Sequence, residues 1–270
     1  MAVLTYRSLT LAFAQLGMQP DGVLLALVSD DFAAQVVGGP ETVLGALLAS
    51  TNGLLMPAFT LRCQVVPEVG PTDNGLDYQA QHGLSQQAEF FRPSLPVDAT
   101  LGATAEALRQ KPGTTRSIHP LLSFSGWQAD ELLAGQTLES PLAPLAGLAA
   151  CDGDILLLGS GHRDNVAIHY AESLAGRRQF IRWALTPAGV RTCPGMPGCA
   201  EGFDALEDRL TGIGRCLELD DQPTRLLPLR DLVHTVVGWI RQDPRALLCS
   251  RAGCGACAAV RASVRAEVGG

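Results

Sequence analysis

The chain has 270 residues, 47% of them hydrophobic and 17% charged, with a formal net charge of −7. That is enough apolar material for a substantial core, and with no Lys/Arg block and no basic-aromatic stripe the surface is not built to follow a phosphate backbone. No stretch reaches the roughly 18 uninterrupted apolar residues of a membrane span, and the opening MAVLTYRSLT lacks the order of a signal peptide. The expectation is a single cytoplasmic domain over 1–270, monomer or homodimer, with no nucleic-acid or membrane partner and its eight cysteines reduced.

In chain order, SLTLAFAQLG has helical apolar spacing and stops at Gly17, GVLLALVS reads as a buried strand, GPETVLGALLAS as a helix, and GLLMPAFTL as the next strand. Strand-helix-strand order predicts an α/β protein. From about 66 to 96 the chain turns rich in Pro, Gly, Asp and Gln, a long loop that Tyr78, Phe90 and Phe91 can anchor. ATLGATAEALRQKPG and QADELLAG are helices flanking TTRSIHPLLSFSGW. GDILLLGS is nearly all apolar, as a central strand covered on both faces must be. NVAIHYAESLAG follows as a helix with Asn165 at its N-cap and Gly176 at its stop. RQFIRWAL reads as a strand, and the segment from Gly214 to Ile240 as a last strand-helix pair.

His169 and Glu172 are three apart on one helix face, behind a strand whose carboxyl end opens on the crevice where α/β sheets bind ligands. That is the geometry of a general base, although an apolar-flanked helical histidine is also a common structural residue. His162, in the preceding turn, ranks below it. Arg116, Ser117, His119 and Ser123 form a second polar cluster; guanidinium beside hydroxyls suits a phosphate, while His119 before Pro120 also suits a simple turn element. Cys193 and Cys199, with Cys249, Cys254 and Cys257, offer thiolates from two segments for a tetrahedral zinc, the C-x2-C pair being the strongest part. Buried free cysteines are the competing reading, and no metal ligand is assigned. P-loop, nucleophile-elbow, HExxH and GxGxxG motifs are absent.

Seven collinear stretches resemble the aminoglycoside 3-N-acetyltransferases, the antibiotic N-acetyltransferase family: LGMQPDGVLL, VVGGPETVLGALL, GLLMPAFT, PEVGPTDNGLDY, RSIHPLLSF, DILLLGSGHRDNVAIHYAE and CPGMPGCAEGFDAL. The resemblance implies a three-layer α-β-α sandwich around a central, largely parallel or mixed sheet. It also implies transfer of an acetyl group from acetyl-CoA, as co-substrate, to an amine of a small cationic, aminoglycoside-type acceptor. The family's histidine base falls on His169 in IHYAE, with Glu201 as the favoured orienting carboxylate and Glu172 the other. Ser29, Arg116, Ser117 and His119 would serve the cofactor, and Asp73 and Asp77 the polycationic acceptor. Where the family has VHSSL this chain reads ALVSDDF, with Leu27 in place of an active-site histidine. Two alternatives stay beside the leading one: an acetyltransferase for a different amine, and a non-catalytic relative that binds CoA or a metal.

Overall fold

The computed structural model of the protein describes residues 3–268. Its first half runs α1 (Tyr6–Gln15), β1 (Val23–Val28), α2 (Asp30–Ala34), α3 (Gly39–Leu48), β2 (Gly53–Pro57), β3 (Gln64–Val65), α4 (Tyr78–Gln81), α5 (Ala103–Gln110), β4 (Thr114–Arg116), β5 (Phe124–Trp127) and α6 (Asp130–Ala134). The second half runs α7 (Ala143–Ala150), β6 (Asp154–Leu158), α8 (Val166–Leu174), β7 (Phe180–Thr186), β8 (Gly189–Met196), β9 (Arg215–Leu219), β10 (Gln222–Pro228), α9 (Leu229–Gln242) and α10 (Gly255–Val268).

Seven strands form the central sheet in the order β4-β5-β2-β1-β6-β10-β9. The three in the middle, β2, β1 and β6, are parallel, and every pairing outside them is antiparallel, so the sheet is mixed. Strand alternation splits the core in two. Leu25, Leu27, Leu55, Ile155 and Leu157 point to one face, where α7, α8 and α9 pack. Leu24, Ala26, Val28, Leu54, Met56, Leu156 and Leu158 point to the other, under α1, α3 and α5. Both faces of β1 and β6 are covered, which is why their sequences are almost uninterrupted aliphatic runs. The result is a three-layer α/β/α sandwich.

Three features depart from the sequence reading. Gly214 to Pro228 makes two strands, β9 and β10, joined at Asp220 and Asp221, which both take positive φ (49° and 63°). That geometry is a tight hairpin turn made without the glycine that usually announces it. GVRTCPGM forms β8, which with β3 and β7 makes a separate three-stranded sheet. The loop near 66–96 contains α4 and a 3₁₀ turn, and it is pinned chiefly by Asn74. The Asn74 side chain accepts from the Ile181 N–H (2.8 Å) and donates to the Ile181 carbonyl (2.9 Å), capturing the edge of β7. Tyr78 packs edge-on against Trp183, and Phe91 is buried, but Phe90 is half exposed.

Candidate active site

β1 and β6 end side by side, and the Ser29 N–H donates to the Leu158 carbonyl (3.0 Å). The chain then leaves β6 through Gly159, whose φ is +61° and where a Cβ would lie 2.6 Å from the Ser29 hydroxyl. Only glycine fits so close an approach of the two strand ends. After a 3₁₀ turn, Asn165 caps α8 by accepting from the Ala167 N–H (3.2 Å), and His169 falls in the first turns of that helix. Two cavities open here, beyond the carboxyl ends of the parallel strands. One, of about 430 Å³, is lined by Leu27, Ser29, Asp31 and Ser160; the other, of about 300 Å³, by Gln64, Leu122, His169 and Arg182. Phe59, Arg163 and Asp164 line both, so the two halves adjoin.

His169 is 9% exposed, its ring packed edge-on against Phe203 with centroids 4.7 Å apart. Its Nδ1 lies 2.7 Å from Glu172 Oε2, and Glu172 Oε1 accepts from Arg177 Nη1 at 2.7 Å. Arg177 in turn donates to the carbonyls of Pro244 (3.0 Å) and Ala246 (2.8 Å), behind the helix. A carboxylate cannot donate, so the proton of this contact sits on Nδ1 and the Nε2 lone pair is free. The three side chains form a buried relay from the protein interior to the cleft wall: a cation fixed by carbonyls, a carboxylate fixed by the cation, and an imidazole fixed by the carboxylate.

Glu201 does not take part. Its carboxylate lies 3.4 Å from Arg163, which also donates to Asp204 (2.7 Å), and it makes no contact with His169. The carboxylate that meets the His169 ring is the local one, Glu172, three residues along the helix. The cluster assigned to the cofactor is largely consumed by the fold. Arg116 donates to the carbonyls of Ala58 (2.6 Å) and Pro93 (3.1 Å), to the Ser123 hydroxyl (3.0 Å) and to the Leu95 carbonyl. Burial lowers its pKa to about 10, and four of the five guanidinium N–H groups are taken by the fold, which leaves no two-pronged fork for a phosphate. Ser117 Oγ accepts from the Phe124 N–H (2.8 Å), closing the β4–β5 connection. His119 Nδ1 accepts from the N–H groups of Leu121 (3.2 Å) and Leu122 (2.9 Å), and burial lowers its pKa to about 4. It is a neutral turn element that lines neither cavity. Ser29 does line the larger one, while its hydroxyl caps α2 by accepting from the Phe32 N–H (3.1 Å). Asp73 pairs with Arg178 and Asp77 accepts from the Ala80 N–H (3.0 Å); neither lines either half of the cleft. The acidic groups that do are Asp30, Asp31 and Asp164, of which Asp30 is engaged in capping α5 through the Ala103 N–H (2.7 Å). Their sequence signal was SDDF directly behind a buried strand and the Asp of GHRDN. His162 points elsewhere, its Nε2 3.3 Å from Glu207, and burial lowers its pKa.

Of the five cysteines considered for zinc, four converge: the sulfurs of Cys199, Cys249, Cys254 and Cys257 all lie within 4.8 Å of one another. Cys193 is buried within β8 and is not among them.

A cleft at the carboxyl ends of parallel strands, walled by an imidazole that a buried carboxylate holds, is the kind of site at which an α/β/α enzyme binds its substrates. The sequence profile of the aminoglycoside 3-N-acetyltransferases matches residues 31–241. The chain is 30% identical to aminoglycoside N(3)-acetyltransferase VII of Streptomyces paromomycinus over 77% of its own length and 81% of that protein's. It is likewise 30% identical to aminoglycoside N(3)-acetyltransferase IV of a Salmonella species, over 85% and 84%. The crystal structure of aminoglycoside acetyltransferase AAC(3)-IVa superposes with a TM-score of 0.78 at 27% identity, covering 97% of this chain and 99% of that one. The chain belongs to the aminoglycoside 3-N-acetyltransferase family, enzymes that take their acetyl group from acetyl-CoA.

Proposed function

We propose that the protein acetylates an amine of an aminoglycoside-type acceptor from acetyl-CoA in the cytoplasm, with His169 as general base and Glu172 as its orienting carboxylate. The observation that carries the reading is the 2.7 Å contact between His169 Nδ1 and Glu172 Oε2 in the wall of the cleft. An aminoglycoside amine is largely protonated near neutral pH and is no nucleophile in that form. The ammonium first releases one proton to solvent, and His169 Nε2 then takes a second from the nitrogen as its lone pair bonds to the thioester carbonyl carbon. The tetrahedral adduct collapses, the C–S bond breaks, and the imidazolium returns its proton to the departing thiolate. Glu172 stabilises the imidazolium between these steps, as the buried aspartate does in a serine-protease triad. Such positioned proton transfer contributes about 10² to 10⁴ in rate.

Two adjoining cavities suit direct transfer between two bound substrates, and no cysteine lines either half among the described residues. In this reading the half floored by Leu27 and Ser29 receives the acetyl-pantetheine arm, where the first N–H groups of α2 face the developing oxyanion. The half containing His169 receives the amine, and Asp164, lining both, meets a cationic acceptor.

The positions that depart from the family pattern, Leu27, Asp30 and Asp31, all line the larger cavity. That observation favours a second reading, the same chemistry on a different amine. Thiol release from acetyl-CoA, measured over a panel of 2-deoxystreptamine antibiotics and simpler polyamines, tests both. Turnover that His169→Ala removes supports the mechanism, and the preferred acceptor decides between the readings. No thiol release with any amine would sink both.

A further inference from the structure

The cluster of Cys199, Cys249, Cys254 and Cys257 belongs to no part of the proposed reaction. All four are free thiols, with Cys249 and Cys257 almost wholly buried and the other two half-buried. A tetrahedral zinc about 2.3 Å from each sulfur needs sulfur-sulfur edges of about 3.8 Å. Four sulfurs mutually within 4.8 Å meet that requirement with shifts of an ångström or less. They also come from two segments that the backbone forces together. A Cβ on Gly202 would lie 2.4 Å from the Leu247 carbonyl oxygen, so the strand of chain just after Cys199 presses directly on the one just before Cys249. A Cβ on Gly75 would lie 2.9 Å from the Ala256 Cα, which seats the knuckle between Cys254 and Cys257 against the long loop. Leu247 takes φ +63° to make the approach, a costly conformation for leucine that the surroundings must over-determine.

Donors that a tetrathiolate centre requires are present as well. The Glu201 N–H donates to Cys199 Sγ at 3.4 Å, two residues on, and the cationic Arg251 lies between Cys249 and Cys254 in the chain. Four thiolates around a divalent cation make a dianion, which such N–H groups and a guanidinium offset.

We infer that Cys199, Cys249, Cys254 and Cys257 form a closed, structural zinc site that clasps the segment after β8 to the start of α10. With all four positions filled by sulfur there is no open coordination site, so the metal holds the chain and does no chemistry. Each thiol gives its proton to solvent on binding. The clasp bears indirectly on the active site: the chain between α9 and Cys249 carries the Pro244 and Ala246 carbonyls that fix Arg177, and Arg177 fixes Glu172.

The test is elemental analysis of the purified full chain, with reactive thiols counted before and after denaturation. About one zinc per chain is expected in the wild type and in Cys193→Ser, falling at least tenfold in Cys254→Ser. Cys254→His, which keeps a metal-binding donor, should retain zinc if the serine variant does not fold. Cobalt exchanged into the site should give the intense visible bands of a tetrahedral thiolate centre. A folded wild-type chain without zinc, whether its thiols are all free or paired as disulfides, would overturn the assignment. So would loss of zinc in Cys193→Ser equal to that in Cys254→Ser.

Discussion

Replacing Glu172 by glutamine keeps the size of the side chain and an oxygen that can accept from Arg177, and removes only the charge. In the wild type that charge sits between two cations at the moment of reaction: Arg177, with a 2.7 Å contact, and the imidazolium that His169 becomes. Charge centres about 4 Å apart at an effective permittivity of about 20 interact by about 4 kcal/mol. Loss of that attraction for the imidazolium alone lowers kcat by roughly 10³. The second consequence is structural. Glu172 and Arg177 are 4% and 8% exposed, and removing one member of a buried ion pair costs about 3–5 kcal/mol because the other charge is left uncompensated. The variant should therefore lose both activity and melting temperature, whereas Glu201→Gln should keep both within a small factor. Initial rates of thiol release at saturating acetyl-CoA, with thermal melts on the same samples, measure the two effects. The double variant His169→Ala/Glu172→Gln should turn over no more slowly than His169→Ala alone, since the carboxylate acts only through the ring. Glu172→Gln with activity within about threefold of wild type, or a double variant whose losses multiply, would refute the relay.

Arg116→Met should act on the fold and not on the cofactor: losing charge-assisted bonds to buried carbonyls is worth about 3 kcal/mol, or a fall in Tm of roughly 6–12 °C, with KM for acetyl-CoA little changed. A raised KM at unchanged Tm would restore it as a phosphate ligand. His119 gives a pH dependence whose sign is fixed by its folded pKa of about 4, below its ordinary 6.5. Above pH 6.5 both states are neutral; between 6.5 and 4 only the unfolded chain takes the proton, so stability falls as pH falls, by roughly 3 kcal/mol at most. His119→Asn, which can still accept the two N–H groups, should flatten that part of the profile, read as denaturant unfolding free energies at pH 7 and pH 5. Equal slopes in the two proteins would show that His119 is not desolvated in this way. Gly159→Ala should cost more than about 1 kcal/mol and depress kcat, because a methyl at φ +61° meets both Ser29 and Phe32 where the two strand ends form the cleft. Wild-type stability in that variant would contradict the close approach.

The central sheet was legible because burial on both faces leaves a plain signature: LLALV and DILLL can be little else than covered parallel strands. Helix α8 was legible down to its ends, since Asn165 and Gly176 supply the cap and the stop that helix termini require. The His169–Glu172 pair was visible as an i, i+3 spacing, yet the preference fell on Glu201. Arg177, the residue that holds Glu172 in place, lies beyond the helix, and its contacts with Pro244 and Ala246 are nearly seventy residues distant in sequence. The cofactor cluster misled for a related reason: Arg116 is chemically suited to phosphate, and only the tertiary structure shows carbonyls already holding its fork. The cysteines divided along a strand that sequence reading passed over. Within β8 the side chain of Cys193 is buried in the core, while Cys199 lies past the strand's end and is free to turn toward Cys249.

The most direct test of the central claim is mass spectrometry of the acceptor after incubation with acetyl-CoA and the purified protein, beside His169→Ala at equal concentration. The account predicts one added acetyl group on an amine of the acceptor, formed in step with free CoA thiol, and a loss of at least about 10² in rate in the variant. Acetylated product formed at the wild-type rate by His169→Ala, or thiol released with no acetyl group gained by any amine, would contradict it.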